Sequence, residues 1–140
     1  MEERLEVDIR VPNQTRYLGL IGKIGEDIAR TLKHYEGDRE ELAYHINLVL
    51  TEAMTNAIRH ANEDNPNKDL QITIQIEKRQ LQIRVYDEGE GFDFAAVSAP
   101  EFKYLDEHGR GVYIIRSLMD SVTYKRNKKG HVLEMVKSLN

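Results

Sequence analysis

The segment from Asn47 to Ala61, NLVLTEAMTNAIRHA, constrains the fold more than any other stretch of the chain. Its apolar residues recur at spacings of one, three and four, which is typical of a helix with a broad buried face. Glu52, Asn56 and His60 are four residues apart, so a regular α helix would align them along one line. Such a row is either a solvated polar edge or one wall of an active site. The helix alone does not decide between the two.

Composition bounds the class of protein. The chain has 140 residues, of which 40% are hydrophobic and 31% charged, so we expect a single globular domain spanning residues 1–140. A formal charge of -4 gives no support for a direct nucleic-acid partner. The lack of cysteine excludes disulfides, zinc–thiolate sites and thiol catalysis. Neither a signal peptide nor an apolar run of the ~18 residues needed for a membrane span is visible, so we expect a cytoplasmic protein that does not contact membrane.

Hydrophobic periodicity predicts the order of the elements. Alternating runs predict strands, and spacings of three and four predict helices. The predicted order is a strand, two helices, two strands, an irregular segment, a helix and two strands. In that order, the elements span Arg4 to Val11, Tyr17 to Tyr35, Arg39 to Ala61, Leu70 to Ile76, Leu81 to Val85, Ala95 to His108, Gly111 to Met119, Val122 to Arg126 and His131 to Val136. This order predicts an α+β fold, a two-layer sandwich of one sheet with helices mainly on one face.

Glycines and a capping signal refine the two long helices. Gly37 predicts the end of the first helix, and Asp38 an N-cap of the second, with Glu41 three residues later. Three glycines inside the first helix weaken it, and we interpret them as sites of close packing rather than of function: Gly19, Gly22 and Gly25.

A second informative segment is DEGEGFD, from Asp87 to Asp93, where a strand ends in an acid followed by glycines. Glycine lets the backbone turn tightly and approach a ligand closely. The Asp87 carboxylate could then accept a hydrogen bond from an amino group of a ligand at the floor of a pocket. The alternative is an ordinary acidic turn, because D-x-G is a common turn signal.

A third segment, HGRGV from His108 to Val112, opens the late helix. Glycines before a helix expose backbone N–H groups, and the helix dipole favours an anion there. Arg110 could add a charge-assisted contact to phosphate oxygens. The alternative is a glycine turn with a solvated arginine. The segment is neither a Walker A motif nor a Rossmann fingerprint, since it lacks both G-K-[ST] and a βαβ frame.

Taken together, the three segments resemble the motifs of a known superfamily. E-A-x-x-N-A-x-R-H, from Glu52 to His60, resembles the N box of the GHKL ATPases (the gyrase, Hsp90, histidine kinase and MutL type). Asp87 to Gly91 resembles their G1 box, and Gly109 to Gly111 their G2 box. Two longer stretches, TEAMTNAIRH from Thr51 to His60 and GRGVYIIRSLMDSV from Gly109 to Val122, resemble more particularly the stand-alone anti-sigma-factor serine/threonine kinases, the RsbW-like proteins. This resemblance implies a Bergerat-type ATP-binding fold, with a mixed, largely antiparallel sheet.

The resemblance also implies which residues bind and react. Asn56 would hold Mg²⁺ against the phosphates of ATP, and Glu52 would be the general base for the attacking hydroxyl. Arg59 and His60 would contact phosphate or nucleotide, although a solvated helix end is equally compatible with them.

Glycines and one aspartate complete the implied ATP site. Asp87 would bind the adenine amino group, with Gly89 and Gly91 shaping the pocket floor. A lid over the phosphates would consist of Ala95 to His108 together with Gly109, Arg110 and Gly111.

The implied function is an ATP-dependent serine/threonine kinase and anti-sigma factor of a bacterial partner-switching pathway. Its partners would be a STAS-domain anti-anti-sigma protein, which it phosphorylates, a sigma factor, and a second copy of itself in a homodimer. Two alternatives stay open, an ATP-binding regulatory module without kinase activity and a detached histidine-kinase catalytic domain.

Overall fold

The structure is a computed structural model that describes residues 3–89 and 107–140. Its elements are β1 (Leu5–Pro12), a 3-10 turn (Thr15–Tyr17), α1 (Leu18–Thr31), α2 (Arg39–Asn56), a π-helical turn (Ala57–Ala61), β2 (Asp69–Glu77), β3 (Gln80–Asp87), α3 (Glu107–Leu118), β4 (Ser121–Arg126) and β5 (His131–Ser138). Within these described ranges, no helix has the length and apolar character needed to cross a bilayer.

The five strands form one sheet in the order β1-β2-β3-β5-β4, and each neighbouring pair is antiparallel. The predicted hairpin between β2 and β3 is confirmed, and its turn residues Lys78 and Arg79 have φ of 54° and 58°. Two consecutive residues with positive φ are typical of the tight hairpin turn whose twist matches that of the strands.

The sheet buries one face under the helices. Alternate strand residues are fully buried and join one cluster with side chains of α2: Ile72, Ile74, Leu81, Ile83 and Met135 with Leu50 and Met54. The other face stays partly exposed and polar, for example at Arg84, which pairs with Glu134 at 2.9 Å. Because apolar surface is covered on one side only, the predicted two-layer α+β sandwich is confirmed.

The long helices follow the prediction except at their ends. Asp38 caps α2 as predicted, since its side chain accepts hydrogen bonds from the backbone N–H groups of Glu40 and Glu41. The prediction that α1 continues to Tyr35 is wrong, because Leu32 adopts extended backbone and α1 ends at Thr31. The prediction that α2 stays regular to Ala61 is also wrong, because its last turn is π-helical.

The start of α3 also differs from the prediction. The helix was expected from Gly111, after a glycine turn, but it includes Glu107 to Gly111. The glycines therefore lie in its first turns rather than before it. Of the segment expected to be a mobile excursion, Ala95 to His108, only the last two residues fall within the described part, and both are helical.

Two of the three glycines of α1 lie against α2, as expected. An ideal Cβ built on Gly25 would lie 2.5 Å from Leu50 Cδ1 and 2.6 Å from Ile46 Cγ2. A Cβ on Gly22 would lie 2.8 Å from Asn47 Oδ1, whereas one on Gly19 would meet nothing within 4 Å. The close-packing interpretation therefore holds for Gly22 and Gly25, and Gly19 has no such constraint.

This difference predicts opposite effects of the same substitution. Gly25→Ala should lower the free energy of unfolding by about 1–3 kcal/mol, because the added methyl overpacks buried side chains of α2. Gly19→Ala is the matched control and should raise it by about 0.5–1 kcal/mol through helix propensity alone. Urea denaturation measures both, and the packing account fails if the two variants shift stability in the same direction.

Candidate functional site

Helix α3 meets α2 at the predicted polar row. An ideal Cβ on Gly111 would lie 2.7 Å from Glu52 Oε2, 3.5 Å from Asn56 Nδ2 and 3.7 Å from Asn56 Oδ1. The missing side chain therefore lets the backbone of α3 approach a carboxylate and a carboxamide on adjacent turns of α2. Two predicted segments that are distant in sequence, the polar row and the late glycines, come together here.

The amide of Asn56 is buried with unused hydrogen-bonding capacity. The residue is 3% exposed, and its Nδ2 has no hydrogen-bond partner among the residues described. Leaving such a group unsatisfied costs about 1–3 kcal/mol, so the few examples in native structures need an explanation. A ligand oxygen seated between α2 and α3 would provide it, because Nδ2 donates hydrogen bonds. The donor set, a carboxamide beside a carboxylate, fits phosphate oxygens and a hard cation.

The π-helical turn at Ala57–Ala61 changes the predicted row. In this turn the backbone hydrogen bonds run from an N–H group to the carbonyl five residues earlier. The N–H of Asn62, for example, donates to Ala57 O at 2.8 Å. A π turn takes up more residues than an α turn, so the alignment of Glu52 with Asn56 does not continue to His60. Both Arg59 and His60 are exposed, each with contacts of its own.

The turn after β3 packs directly on the end of this π turn. Gly89 lies so close to the backbone carbonyl of Ala61 that a Cβ would overlap it, so glycine is required here. Asn62 is fully buried, and its Oδ1 accepts the backbone N–H of Glu88 at 2.9 Å. Its Nδ2 donates to Asn13 Oδ1 at 2.9 Å. The floor of the site is thus fixed by backbone packing and two buried amides.

Asp87 is buried on the helix-facing side of the sheet, 3% exposed. Its Oδ1 accepts the backbone N–H of Gly89 at 2.9 Å, and its Oδ2 accepts the hydroxyl of Tyr124 at 3.2 Å. Burial raises the pKa of Asp87 above its ordinary value, while Gly89 N–H, the nearby His131 and the Tyr124 hydroxyl act in the opposite direction. A carboxylate held this way can accept a hydrogen bond from a ligand.

The other predicted residues lie in parts of the chain whose contacts are described less completely. Arg110 is exposed in the first turns of α3, and Gly109 precedes it in the same helix. Gly91 lies outside the described residues. The structure therefore brings Glu52, Asn56 and Gly111 together, and separately joins Asp87 with Gly89.

Four residues at the site were missed in the sequence: Asn13, Asn62, Tyr124 and His131. Strand alternation puts Tyr124 and His131 on the buried face, which is the one signal that could have drawn attention to them. Their contact with Asp87 depends on β5 pairing with β3, a long-range pairing that periodicity does not reveal. Asn13 and Asn62 follow a strand and a helix, where asparagine is ordinary loop composition.

Comparison with known families matches most of the chain. Residues 14–137 match the family described as "Histidine kinase-like ATPase domain". A protein of Bacillus subtilis (strain 168) named "Serine-protein kinase RsbW" is 30% identical over 142 residues, covering 96% of this chain and 86% of that protein. A protein of the same name from Staphylococcus aureus (strain JH9) is 28% identical, covering 94% and 85%.

Comparison with solved structures supports the fold. The histidine kinase domain of a blue-light activated histidine kinase from Erythrobacter litoralis EL346 superposes with a TM-score of 0.55 at 21% identity. A second structure of that kinase gives 0.56 at 20%. Each alignment covers 92% of this chain, which spans 62% of the first structure's chain and 42% of the second's. At this identity the likeness concerns the fold alone.

Burial of Asp87 predicts a pH-dependent gain from removing its charge. Because its pKa in the folded state lies above the ordinary 3.8, the folded protein binds more protons than the unfolded chain, and stability falls as pH rises through that window. Asp87→Asn should therefore be more stable than the wild type at pH 7. The difference should shrink as pH falls, because protonation of Asp87 removes the buried charge from the wild type as well.

Thermal unfolding between pH 4 and pH 8 measures this difference. Asp69→Asn is the matched control. Asp69 is exposed at the start of β2, so removing its charge does not relieve the cost of a buried carboxylate. If Asp87→Asn is less stable than the wild type by the same amount at every pH, the account is contradicted.

Proposed function

Since this chain belongs to the histidine kinase-like ATPase family, we propose that it binds Mg·ATP and transfers the γ-phosphate to a serine or threonine of a protein substrate. The proposal is supported by the relatives named "Serine-protein kinase RsbW", which align over nearly the whole chain. The observation that carries it is the contact of Gly111 with both Glu52 and Asn56. That contact puts a candidate base and a candidate phosphate ligand at the start of one helix.

The adenine base of the nucleotide is assigned to the turn after β3. The Asp87 carboxylate would accept a hydrogen bond from the adenine amino group, because its two oxygens are oriented by Gly89 and Tyr124. Gly89 keeps the floor flat, since its backbone contacts that of Ala61. Gly91 would extend the same floor.

The phosphate end is assigned to the junction of α2 and α3. Asn56 would hold Mg²⁺ through Oδ1, and its Nδ2 would donate to a phosphate oxygen, which explains why Nδ2 has no partner among the described residues. When bound, Mg²⁺ would neutralise charge on the phosphate oxygens. The start of α3 adds the helix dipole and Arg110, with Gly109 and Gly111 keeping the backbone accessible. Arg59 and His60 are kept as candidate contacts to phosphate or nucleotide.

Glu52 is assigned as the general base. Its carboxylate would accept the proton of the substrate hydroxyl while that oxygen forms a bond to the γ-phosphorus and the bond to the ADP oxygen breaks. Glu52 is half-buried and lies against Gly111, on the turn of α2 that precedes Asn56. A carboxylate in this position can reach a hydroxyl presented to the phosphate end.

The partners are proposed from the resemblance. We propose a STAS-domain anti-anti-sigma protein as the phosphorylated substrate and a sigma factor as the protein bound when that substrate is phosphorylated. A homodimer and a cytoplasmic location belong to the same proposal. The matched relatives are named as serine-protein kinases, which favours hydroxyl phosphorylation over the detached histidine-kinase alternative.

Phosphotransfer separates the kinase from a regulator that only binds ATP. Wild-type protein incubated with [γ-³²P]ATP and STAS-domain proteins of its own genome should label one of them, and the label should survive acid as phosphoserine or phosphothreonine does. Glu52→Gln should lower the rate by about 10²- to 10⁴-fold, the range for a general base, while ATP binding is kept.

Glu41→Gln is the matched control, since it removes an exposed carboxylate from the same helix, and it should leave the rate unchanged. Full transfer by Glu52→Gln would remove Glu52 as the base. Intact ATP binding without transfer to any STAS protein would favour the regulatory module, and acid-labile label would favour a histidine kinase.

A further inference from the structure

The carboxylate of Asp87 accepts hydrogen bonds from two different parts of the chain and lies near a third. Gly89, in its own turn, holds Oδ1, while Tyr124 on β4 holds Oδ2 through its hydroxyl. His131 on β5 places Nδ1 3.8 Å from Oδ1. A terminal carboxylate rotates easily when it is free, so hydrogen bonds to both oxygens fix the direction in which its remaining lone pairs point.

Tyr124 is itself held in place by its neighbours. Its ring stacks on the His131 ring, with centroids 4.9 Å apart and planes 7° from parallel. The hairpin that carries both rings is docked on the β3 turn at Gly130, whose backbone approaches the Asp87 carbonyl too closely for any Cβ. The Tyr124 hydroxyl is therefore a fixed donor.

We propose that Tyr124 is a positioning residue that makes the site select a base carrying an amino group over one carrying a carbonyl at the same position. This inference rests on the proposed nucleotide site. An ionised carboxylate only accepts hydrogen bonds, so it attracts an amino group and repels a carbonyl oxygen. A protonated carboxyl can donate to a carbonyl instead. Selectivity therefore requires that Asp87 stays ionised and correctly oriented.

The surroundings of Asp87 oppose that requirement unless Tyr124 helps. Burial favours the neutral acid, and the Tyr124 hydroxyl is one of the groups that stabilise the charged form. Without the hydroxyl, Oδ2 loses the hydrogen bond from Tyr124, and the carboxylate is freer to rotate and to bind a proton. Both changes weaken binding of an amino-bearing base and improve binding of a carbonyl-bearing one.

The test compares dissociation constants for ATP and inosine triphosphate, which carries a carbonyl where adenine has its amino group. Tyr124→Phe should lower the ratio of the inosine to the adenine constant about fivefold to tenfold, which is within the range for the loss of one hydrogen bond. Tyr86→Phe is the matched control, because it removes a hydroxyl from the residue next to Asp87 but on the opposite face of β3. Its ratio should equal that of the wild type.

The ratio also separates positioning from a purely structural effect. Both nucleotides bind the same folded fraction, so a loss of stability in Tyr124→Phe cancels in the ratio. A wild-type ratio in Tyr124→Phe overturns the inference. If the wild-type protein binds both nucleotides equally well, the inference is also overturned, whereas a wild type that binds neither contradicts the proposed function instead.

Variants of His131 test the stacked pair. His131→Phe keeps a ring against Tyr124 but removes the imidazole beside Asp87, so it should lower the ratio less than His131→Ala, which removes the stack as well. An unchanged ratio in His131→Ala overturns the part of the inference that assigns His131 to holding Tyr124.

Discussion

The contact between α3 and α2 at Gly111 is the constraint on which the candidate site depends. Glycine at this position lets the backbone of α3 lie within reach of the Glu52 carboxylate and the Asn56 amide. A side chain there would displace the Glu52 carboxylate and fill the space beside the Asn56 amide. Asn56 is buried, and its Nδ2 has no hydrogen-bond partner among the described residues. The junction of α2 and α3 therefore holds a hydrogen-bond donor that the packing of the protein leaves unused.

The opposite end of the site shows a similar conflict between stability and binding. Asp87 lies on the face of the sheet that carries mainly Leu, Ile, Val and Met, and burial disfavours its charge. Hydrogen bonds from Gly89 and Tyr124 offset part of that penalty and orient the carboxylate. Local departures from a stable core are expected where a protein binds a ligand, because a site needs polar groups held ready.

Much of the fold follows from periodicity, because apolar spacing reports directly which face is buried. The alternation of Leu70 to Ile76 gave β2 and its hairpin, and Asp38 gave the cap of α2. The π turn after Asn56 was not predictable, since apolar spacing does not distinguish a π turn from an α turn over five residues. The early start of α3 was missed because glycines there suggested a turn. The contacts of Tyr124 were missed because strand order is a property of the whole sheet.

The most direct test of the nucleotide site is the effect of Mg²⁺ on binding of a non-hydrolysable ATP analogue, measured by titration calorimetry with Mg²⁺ or with EDTA. The account predicts that Mg²⁺ tightens binding to the wild type by at least about tenfold, and that Asn56→Ala abolishes this gain while keeping most of the Mg²⁺-free affinity. An equal gain from Mg²⁺ in Asn56→Ala would contradict the assignment of Asn56 and the site built around it.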